Sequence, residues 1–275
     1  MPTAFICTTC GQQGPEQEQP PGHCPICTDS RQYVTPAGQQ WTTQEALARR
    51  HFSAWRMQEP GLMGLGIQPQ FAIGQRCLLV DTGKGLVMWD CVPLIDAAVI
   101  RIIQALGGLR AIAISHPHYY AAMVDWSRAL KDARGDVPVW LHEADREWVL
   151  RPDPCVRHWG GDRHDLAPGL TLIRTGGHFE GSCVLHWANG AGGRGILMTG
   201  DTVQVGADRR VSFLRSYPNM VPLSHDSVQG IADALAPFDY ERVYGAFFDR
   251  VVPEHGKRIV AESVARYQAA LAGRY

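Results

Sequence analysis

Three short motifs that carry histidine or aspartate each follow an apolar segment, and this order leaves few folds open to the chain. The motifs are His116-Pro117-His118, Gly177-His178 and Gly200-Asp201. The apolar runs before them have the length of buried strands. Because alternate residues of an extended segment face the same way, the side chains of His116 and His118 can converge on one ion. The sequence therefore predicts polar side chains at the strand ends of an α/β protein.

The elements around these motifs alternate between strands and helices. Residues 75–81 and 86–91 are predicted as two neighbouring strands separated by a glycine-rich turn. Apolar residues recur at helical spacing over 94–106, and Gly107-Gly108 ends that helix. A buried strand over 109–115 then leads into the first histidine motif. Further strands are predicted over 137–142, 170–173 and 195–201.

This succession of elements and motifs resembles the metallo-β-lactamase-fold hydrolase superfamily over roughly residues 68–265. Members of that family take metal ligands from H-x-H-x-D-H, from a later Gly-His and from a Gly-Asp. The resemblance implies an α/β fold, a four-layer αββα sandwich with the metal at one edge of the two sheets. It implies that His116, His118 and His178 bind the first metal. Asp201 matches the carboxylate that bridges two metals in the family.

The chain departs from the family pattern at the second metal. The aspartate of H-x-H-x-D-H falls on Tyr120, and the histidine after it falls on Ala121. The family's last histidine falls in the segment 244–248, which contains none. His255 lies further on, where we expect it to open the C-terminal helix and to stay outside the ligand set. A site with one catalytic metal is therefore predicted.

One metal still permits hydrolysis, because a three-histidine site with an open position lowers the pKa of bound water to about 7. Asp201 would complete the metal's shell or hold that water as a general base. Tyr119 or Tyr120 could donate a hydrogen bond to a developing oxyanion. The alternative for both tyrosines is that they fill the space of a missing metal. The alternative for the whole site is a family member that binds no metal.

Four of the eight cysteines form two close pairs near the start of the chain. Cys7-x-x-Cys10 and Cys24-x-x-Cys27 can supply four thiolates to one tetrahedral ion, which would provide the folding energy of so short a segment. The segment resembles the zinc-ribbon and rubredoxin-like knuckle families. A structural zinc is predicted, with iron as the alternative because thiolates bind both metals. The other cysteines are expected to be buried apolar residues.

Changes in composition and apolar pattern along the sequence predict three parts. Residues 1–35 would form the four-cysteine module, 36–67 a linking helix and loop, and 68–275 the main domain. The linking helix is predicted over 42–57, because Thr42-x-x-Glu45 fits a capping box and Pro60-Gly61 follows. An outer helix is predicted over 258–271.

Charge and composition restrict the partners. The 275 residues contain 26 Lys+Arg and 27 Asp+Glu, so no basic excess is present to hold a nucleic acid or an anionic membrane. The sequence contains neither an apolar leader nor a run of the length that spans a bilayer. We therefore expect a cytoplasmic protein that acts on a small molecule, with no nucleic-acid or membrane partner; self-association is possible.

Three functions are consistent with these motifs. The first is a metal-dependent hydrolase that uses one catalytic Zn, Fe or Mn ion against an ester, thioester or related bond. The second is a non-catalytic ligand-binding or interaction protein with a degenerate metal site. The third is a redox protein with iron in the cysteine module.

Overall fold

The computed structural model describes residues 2–274 and divides them into two compact units. The first unit comprises the chain up to Leu141 together with Arg146–His158, and the second comprises His142–Asp145 and the chain from Trp159 onwards. Each unit is built around one large β-sheet with helices. Within residues 2–274, no helix combines the length and the apolarity needed to cross a membrane.

The first unit contains the strands that lead to the paired histidines. Its strands are β1 (Thr3–Cys7), β2 (Gln13–Gln17), β3 (Trp41–Thr42), β4 (Phe52–Glu59), β5 (Leu62–Gln68), β6 (Cys77–Asp81), β7 (Leu86–Trp89), β8 (Leu109–Ala113), β9 (Val139–His142) and β10 (Val156–Trp159). Its α-helices are α1 (Pro25–Thr28), α2 (Gln44–Ala48), α3 (Ala97–Ala105) and α4 (Met123–Ala129). Short 3-10 helices cover Pro117–Tyr119 and Glu143–Trp148.

The large sheet of the first unit has the order β10-β9-β8-β7-β6-β5-β4, and β7, β8 and β9 run parallel. Helix α3 connects β7 to β8, as a parallel connection requires. Its N-cap Asp96 accepts a hydrogen bond from the backbone of Ala98, and Val99 and Ile103 are buried. Strand β8 is buried apart from Arg110, and it delivers the chain directly into the first histidine motif.

The prediction of a single helix over 42–57 is wrong. Only α2 is helical there, with Thr43 rather than Thr42 as the N-cap, and β4 follows it. Strand β4 pairs antiparallel with β5 across Pro60-Gly61, so this pair ends a hairpin strand instead of a helix. Gly61 has a φ of 78°, which suits a turn between strands. Phe52–Glu59 contains aromatic and other strand-forming residues, and its pairing with the neighbouring strand stabilises the extended conformation. The spacing of apolar residues within the segment does not show this pairing.

The second unit contains the strands that lead to His178 and Asp201. Its strands are β11 (Arg163–Ala167), β12 (Leu170–Arg174), β13 (Cys183–Trp187), β14 (Ile196–Met198), β15 (Gln204–Val205), β16 (Val211–Ser212), β17 (Leu214–Ser216), β18 (Val221–Pro222), β19 (Arg242–Tyr244) and β20 (Val251–Val252). Its α-helices are α5 (Gly190–Gly193), α6 (His225–Leu235) and α7 (Gly256–Leu271).

The large sheet of the second unit has the order β11-β12-β13-β14-β19-β20, with β14 and β19 parallel. Helices α6 and α7 contribute Val228, Ile231 and Val260 to its apolar core. The predicted C-terminal helix is present as α7, and His255 is its exposed N-cap residue. Strand β12 precedes the turn that bears His178, and β14 precedes Asp201.

Candidate metal centre

Four buried side chains of the three motifs meet in one group. His116, His118, His178 and Asp201 each offer one ligand atom, and these four atoms lie within 4.8 Å of one another. Three imidazoles and one carboxylate form a donor set that suits Zn(II) and also Fe or Mn. The donor chemistry and the spacing therefore fit one metal ion.

His116 is supported by two neighbouring polar residues. The Ser115 hydroxyl donates a hydrogen bond of 2.7 Å to the Asp90 carboxylate, and the Ser115 backbone N–H donates another of 2.8 Å to the same oxygen. The Ser115 hydroxyl oxygen also lies 2.8 Å from His116 Nδ1. All three residues are buried.

This chain of contacts assigns the tautomer of His116. A serine hydroxyl has one hydrogen, and Ser115 gives it to Asp90, so the hydrogen shared with His116 comes from the imidazole Nδ1. The lone pair of His116 is then on Nε2, which is the nitrogen that would bind metal. Ligating histidines commonly donate their other ring N–H to a partner of this kind, which fixes the ring orientation.

His178 follows a turn that only glycine adopts without strain. Gly176 and Gly177 have φ values of 61° and 83°. His178 Nδ1 lies 3.0 Å from the carbonyl oxygen of Leu214, so this nitrogen carries the hydrogen. The same reasoning assigns Nε2 of His178 as the ligand atom.

Asp201 is held by a tyrosine from the segment that follows it. The Tyr217 hydroxyl donates a hydrogen bond of 2.7 Å to the backbone carbonyl of Asp201. Burial of that hydroxyl raises the pKa of Tyr217 well above its ordinary value, and the nearby Asp201 carboxylate adds to the shift. Tyr217 therefore remains a neutral donor at physiological pH.

The two candidate tyrosines are both buried, but their surroundings differ. The Tyr119 ring lies 4.4 Å from the His116 ring between centroids. Tyr120 lines a small cavity of about 10 Å³ together with Gln12, Gln13 and Met123. The position of Tyr120 in this cavity agrees with the alternative that it only fills space. Tyr119, in contrast, lies beside a candidate ligand of the metal centre. A catalytic role for either tyrosine stays a prediction.

The second group of potential ligands is in the N-terminal segment. The Sγ atoms of Cys7, Cys10, Cys24 and Cys27 lie within 4.8 Å of one another, all four residues are buried, and none is in a disulfide. The set fits a zinc-ribbon knuckle, as predicted, and four thiolates suit a tetrahedral ion. The arrangement of the four sulfurs is compatible with zinc and with iron.

The local folding of each pair explains the close approach of its sulfurs. The Gly11 N–H donates to the Cys7 carbonyl at 2.8 Å, and Gly11 has a φ of 80°. Cys24 is the N-cap of α1, which begins with Pro25. Hydrogen bonds within the cluster, from the Cys10 thiol first, lower the pKa of Cys7, whereas burial raises the pKa of Cys10.

The remaining cysteines are free and buried: Cys77, Cys91, Cys155 and Cys183. Burial raises the pKa of the Cys77 and Cys91 thiols, and it raises that of Cys155 to about 12. Thiols that stay protonated are poor nucleophiles. This supports the interpretation that these residues fill the core.

Comparison with known proteins identifies the family. Residues 72–246 match the sequence model of the metallo-beta-lactamase superfamily. The chain therefore belongs to the metallo-beta-lactamase superfamily. The predicted α/β fold of that family is confirmed.

Individual similar proteins cover about four fifths of the chain or more. An uncharacterized protein of Bacillus subtilis strain 168, YmaE, is 43% identical over 270 residues, which are 97% of this chain and 96% of YmaE. The crystal structure of VMB-1 is similar with a TM-score of 0.60 at 15% identity, covering 80% of this chain and 98% of VMB-1. The metallo-beta-lactamase family protein TTHA1429 of Thermus thermophilus has a TM-score of 0.52 at 16% identity, covering 79% and 82% of the two chains.

Proposed function

We propose that this protein is a metal-dependent hydrolase with one catalytic metal, bound by His116, His118, His178 and Asp201. The observation that carries the proposal is the convergence of these four buried ligand atoms within 4.8 Å. Residues 120 and 121 offer a phenol and a methyl group where the family has an aspartate and a histidine. Within residues 2–274, the group contains no further histidine, cysteine or carboxylate.

When bound, the metal supplies Lewis-acid chemistry, because it lowers the pKa of a coordinated water to about 7 and polarises a substrate oxygen. The residues of the chain orient this chemistry. Ser115 and Asp90 fix the imidazole of His116, and Leu214 fixes that of His178. Asp201 serves as the fourth ligand or as the base that accepts a proton. Tyr119, beside His116, is the neutral donor proposed to face the developing oxyanion.

The net charge and the family support a proposal for the substrate class. We propose an ester, thioester or related bond in a small neutral or mildly anionic molecule, since the net charge of -1 gives no electrostatic hold on a nucleic acid. Zinc is proposed as the structural ion of the four cysteines. The cytoplasm is the proposed location, because reduced thiols persist there.

The test is a panel of chromogenic esters, thioesters and phosphodiesters, assayed with purified full-length protein and added Zn, Fe or Mn. His178→Ala should abolish turnover of the best substrate. The matched control is His186→Ala, because His186 is also a buried histidine of the second unit but binds the backbone carbonyl of Asp239 at 2.8 Å. Equal turnover by His178→Ala and the wild type would overturn the proposal.

A further inference from the structure

One glutamine links the cysteine knuckle to the histidine motif. The backbone carbonyl of Gln12 accepts a hydrogen bond of 2.9 Å from the Cys7 N–H, which closes the first knuckle. The side-chain amide of Gln12 donates a hydrogen bond of 2.7 Å to the carbonyl of Pro117, between the two ligand histidines. Gln12 is only 2% exposed, so both bonds are shielded from water. Its two ends therefore contact both predicted metal-binding segments.

The next residue makes a second link to the same loop. The Gln13 N–H donates to the carbonyl of Ala121 at 3.3 Å, and the Gln13 amide donates to Asp125 of α4 at 2.6 Å. Ala121 has a φ of 41°, a conformation that a residue with a Cβ rarely adopts, and it occupies the position of a second-metal ligand in the family. The cysteine module thus supports the loop at the point where family members have a metal.

A buried arginine connects this link to the rest of the unit. Arg151 donates to the Gln13 side-chain carbonyl at 2.6 Å and to Asp125 at 2.7 Å. It also bonds Glu16 of β2 at 3.0 Å, and its side chain is only 9% exposed. Ion pairs of a buried arginine with several partners have less freedom to rearrange than exposed ones. Both the nitrogen and the oxygen of the Gln13 side-chain amide are therefore held by hydrogen bonds.

The knuckle also packs closely against a connecting segment of the same unit. A Cβ atom at Gly11 would lie 2.6 Å from Pro93 Cγ, and the φ of 80° requires glycine as well. Pro93 lies in the connection between β7 and α3. The position of the knuckle, and with it that of Gln12, is thus set by contact with this connection.

We propose that Gln12 is a positioning residue of the histidine centre and that it couples this centre to the cysteine-bound ion. The inference rests on the proposed function, because it assumes that the histidine group binds a metal. Pro117 lies between His116 and His118 and begins the 3-10 helix Pro117–Tyr119, of which His116 is the N-cap and which contains His118. A donor on the Pro117 carbonyl therefore restrains the segment that carries both histidines. Since coupling between two binding sites is reciprocal, filling either site would raise the affinity of the other by the same factor.

The test uses cobalt(II) in the full-length chain. Thiolate-to-cobalt charge transfer reports the cysteine site, and the weaker ligand-field bands of an imidazole-carboxylate site report the histidine centre. Gln12→Glu preserves the backbone carbonyl and the side-chain length but removes the amide donor. We expect it to lower the cobalt affinity of the histidine centre about tenfold, the scale of lost supporting contacts around a metal site, with the charge-transfer bands retained.

The control is Gln104→Glu, the same change on an exposed residue of α3 in the same unit, which should leave both affinities unchanged. Gln12→Met, which removes the donor without adding charge, must reproduce the effect of Gln12→Glu. Unchanged affinity of the histidine centre in both Gln12 variants would overturn the inference alone. A wild type that binds cobalt only through thiolates would overturn the proposed function together with the inference.

Discussion

Asp90 accepts two hydrogen bonds from Ser115, one from its backbone N–H and one from its hydroxyl, at 2.8 and 2.7 Å. The two bonds fix the serine oxygen where it faces His116 Nδ1 at 2.8 Å. A carboxylate at the end of β7 is thereby connected to a ligand that follows β8, the neighbouring parallel strand. The pairing of these two strands therefore fixes the orientation of the His116 ring.

Ser115→Ala should weaken metal binding at the histidine centre by about tenfold to a hundredfold, because His116 would lose the partner that fixes its ring. The measurement is a cobalt(II) titration followed through the ligand-field bands. Ser127→Ala is the matched control, since Ser127 is also buried and donates to the Val137 carbonyl at 2.6 Å. A weakening of equal size in both variants would contradict the predicted role of Ser115.

Tyr217→Phe should lower both stability and metal affinity, because it removes the donor to the Asp201 carbonyl. Loss of such a bond costs about 1–3 kcal/mol when it leaves a buried acceptor unsatisfied. Tyr267→Phe removes a comparable bond, from the Tyr267 hydroxyl to the Phe213 carbonyl at 2.5 Å. Urea denaturation should detect both changes, whereas only the Tyr217 variant should need more metal for half-saturation. Identical metal titrations for the two variants would rule out this role of Tyr217.

Cys24→Ser should unfold the N-terminal module, since the ion supplies the folding energy of such a segment. Arg31 reports this change. Its side chain is 12% exposed, bonds Asp29 at 2.7 Å, and lies 5.1 Å from the Trp148 ring centroid. Trypsin should therefore cleave after Arg31 much faster in Cys24→Ser than in the wild type, as followed by mass spectrometry. Cys183→Ser is the control. Cleavage at the same rate in both variants would contradict the claim that a bound ion stabilises the N-terminal module.

Asp96 gives stability that depends on pH. Burial works in the opposite direction, but hydrogen bonds from the backbone of Ala98 and Ser53 hold the pKa of Asp96 below its usual value. A lowered folded pKa stabilises above the unfolded value of about 4, and the contribution is lost as pH falls through the folded value.

Asp96→Ala should therefore lower the free energy of unfolding by about 1 kcal/mol at neutral pH, and the difference from the wild type should shrink at a pH of about 3. Urea denaturation at both pH values measures it. Asp226→Ala, which removes a fully exposed carboxylate in the first turn of α6, is the control. A difference that persists at low pH would contradict the assignment.

The candidate ligands were predictable from the sequence because their signals are local. His116 and His118 are two residues apart, and His178 and Asp201 each follow glycine at the end of an apolar run. The cysteine cluster was predictable for the same reason. Strand β4 was not, because its pairing with β5 decides its conformation more than its own helical spacing does.

The supporting residues were missed for a different reason. Gln12 and Pro117 are 105 positions apart, and the acceptor is a backbone carbonyl that every residue possesses. Tyr217 likewise binds a carbonyl, that of Asp201. No side-chain pattern marks such partners, so only the fold reveals them. The glutamine pair directly after Cys10-Gly11 was the one visible sign, and it has no motif meaning by itself.

The most direct test of the two predicted metal sites is the metal content of the purified protein by elemental analysis. We expect about two ions per chain, one for each group of four candidate ligands. Cys7→Ser should lose one of them, and the double variant His116→Ala/His178→Ala should lose the other together with all hydrolytic activity. A wild type with a single ion, lost in Cys7→Ser and retained in the histidine double variant, would contradict the proposed metal-dependent hydrolase.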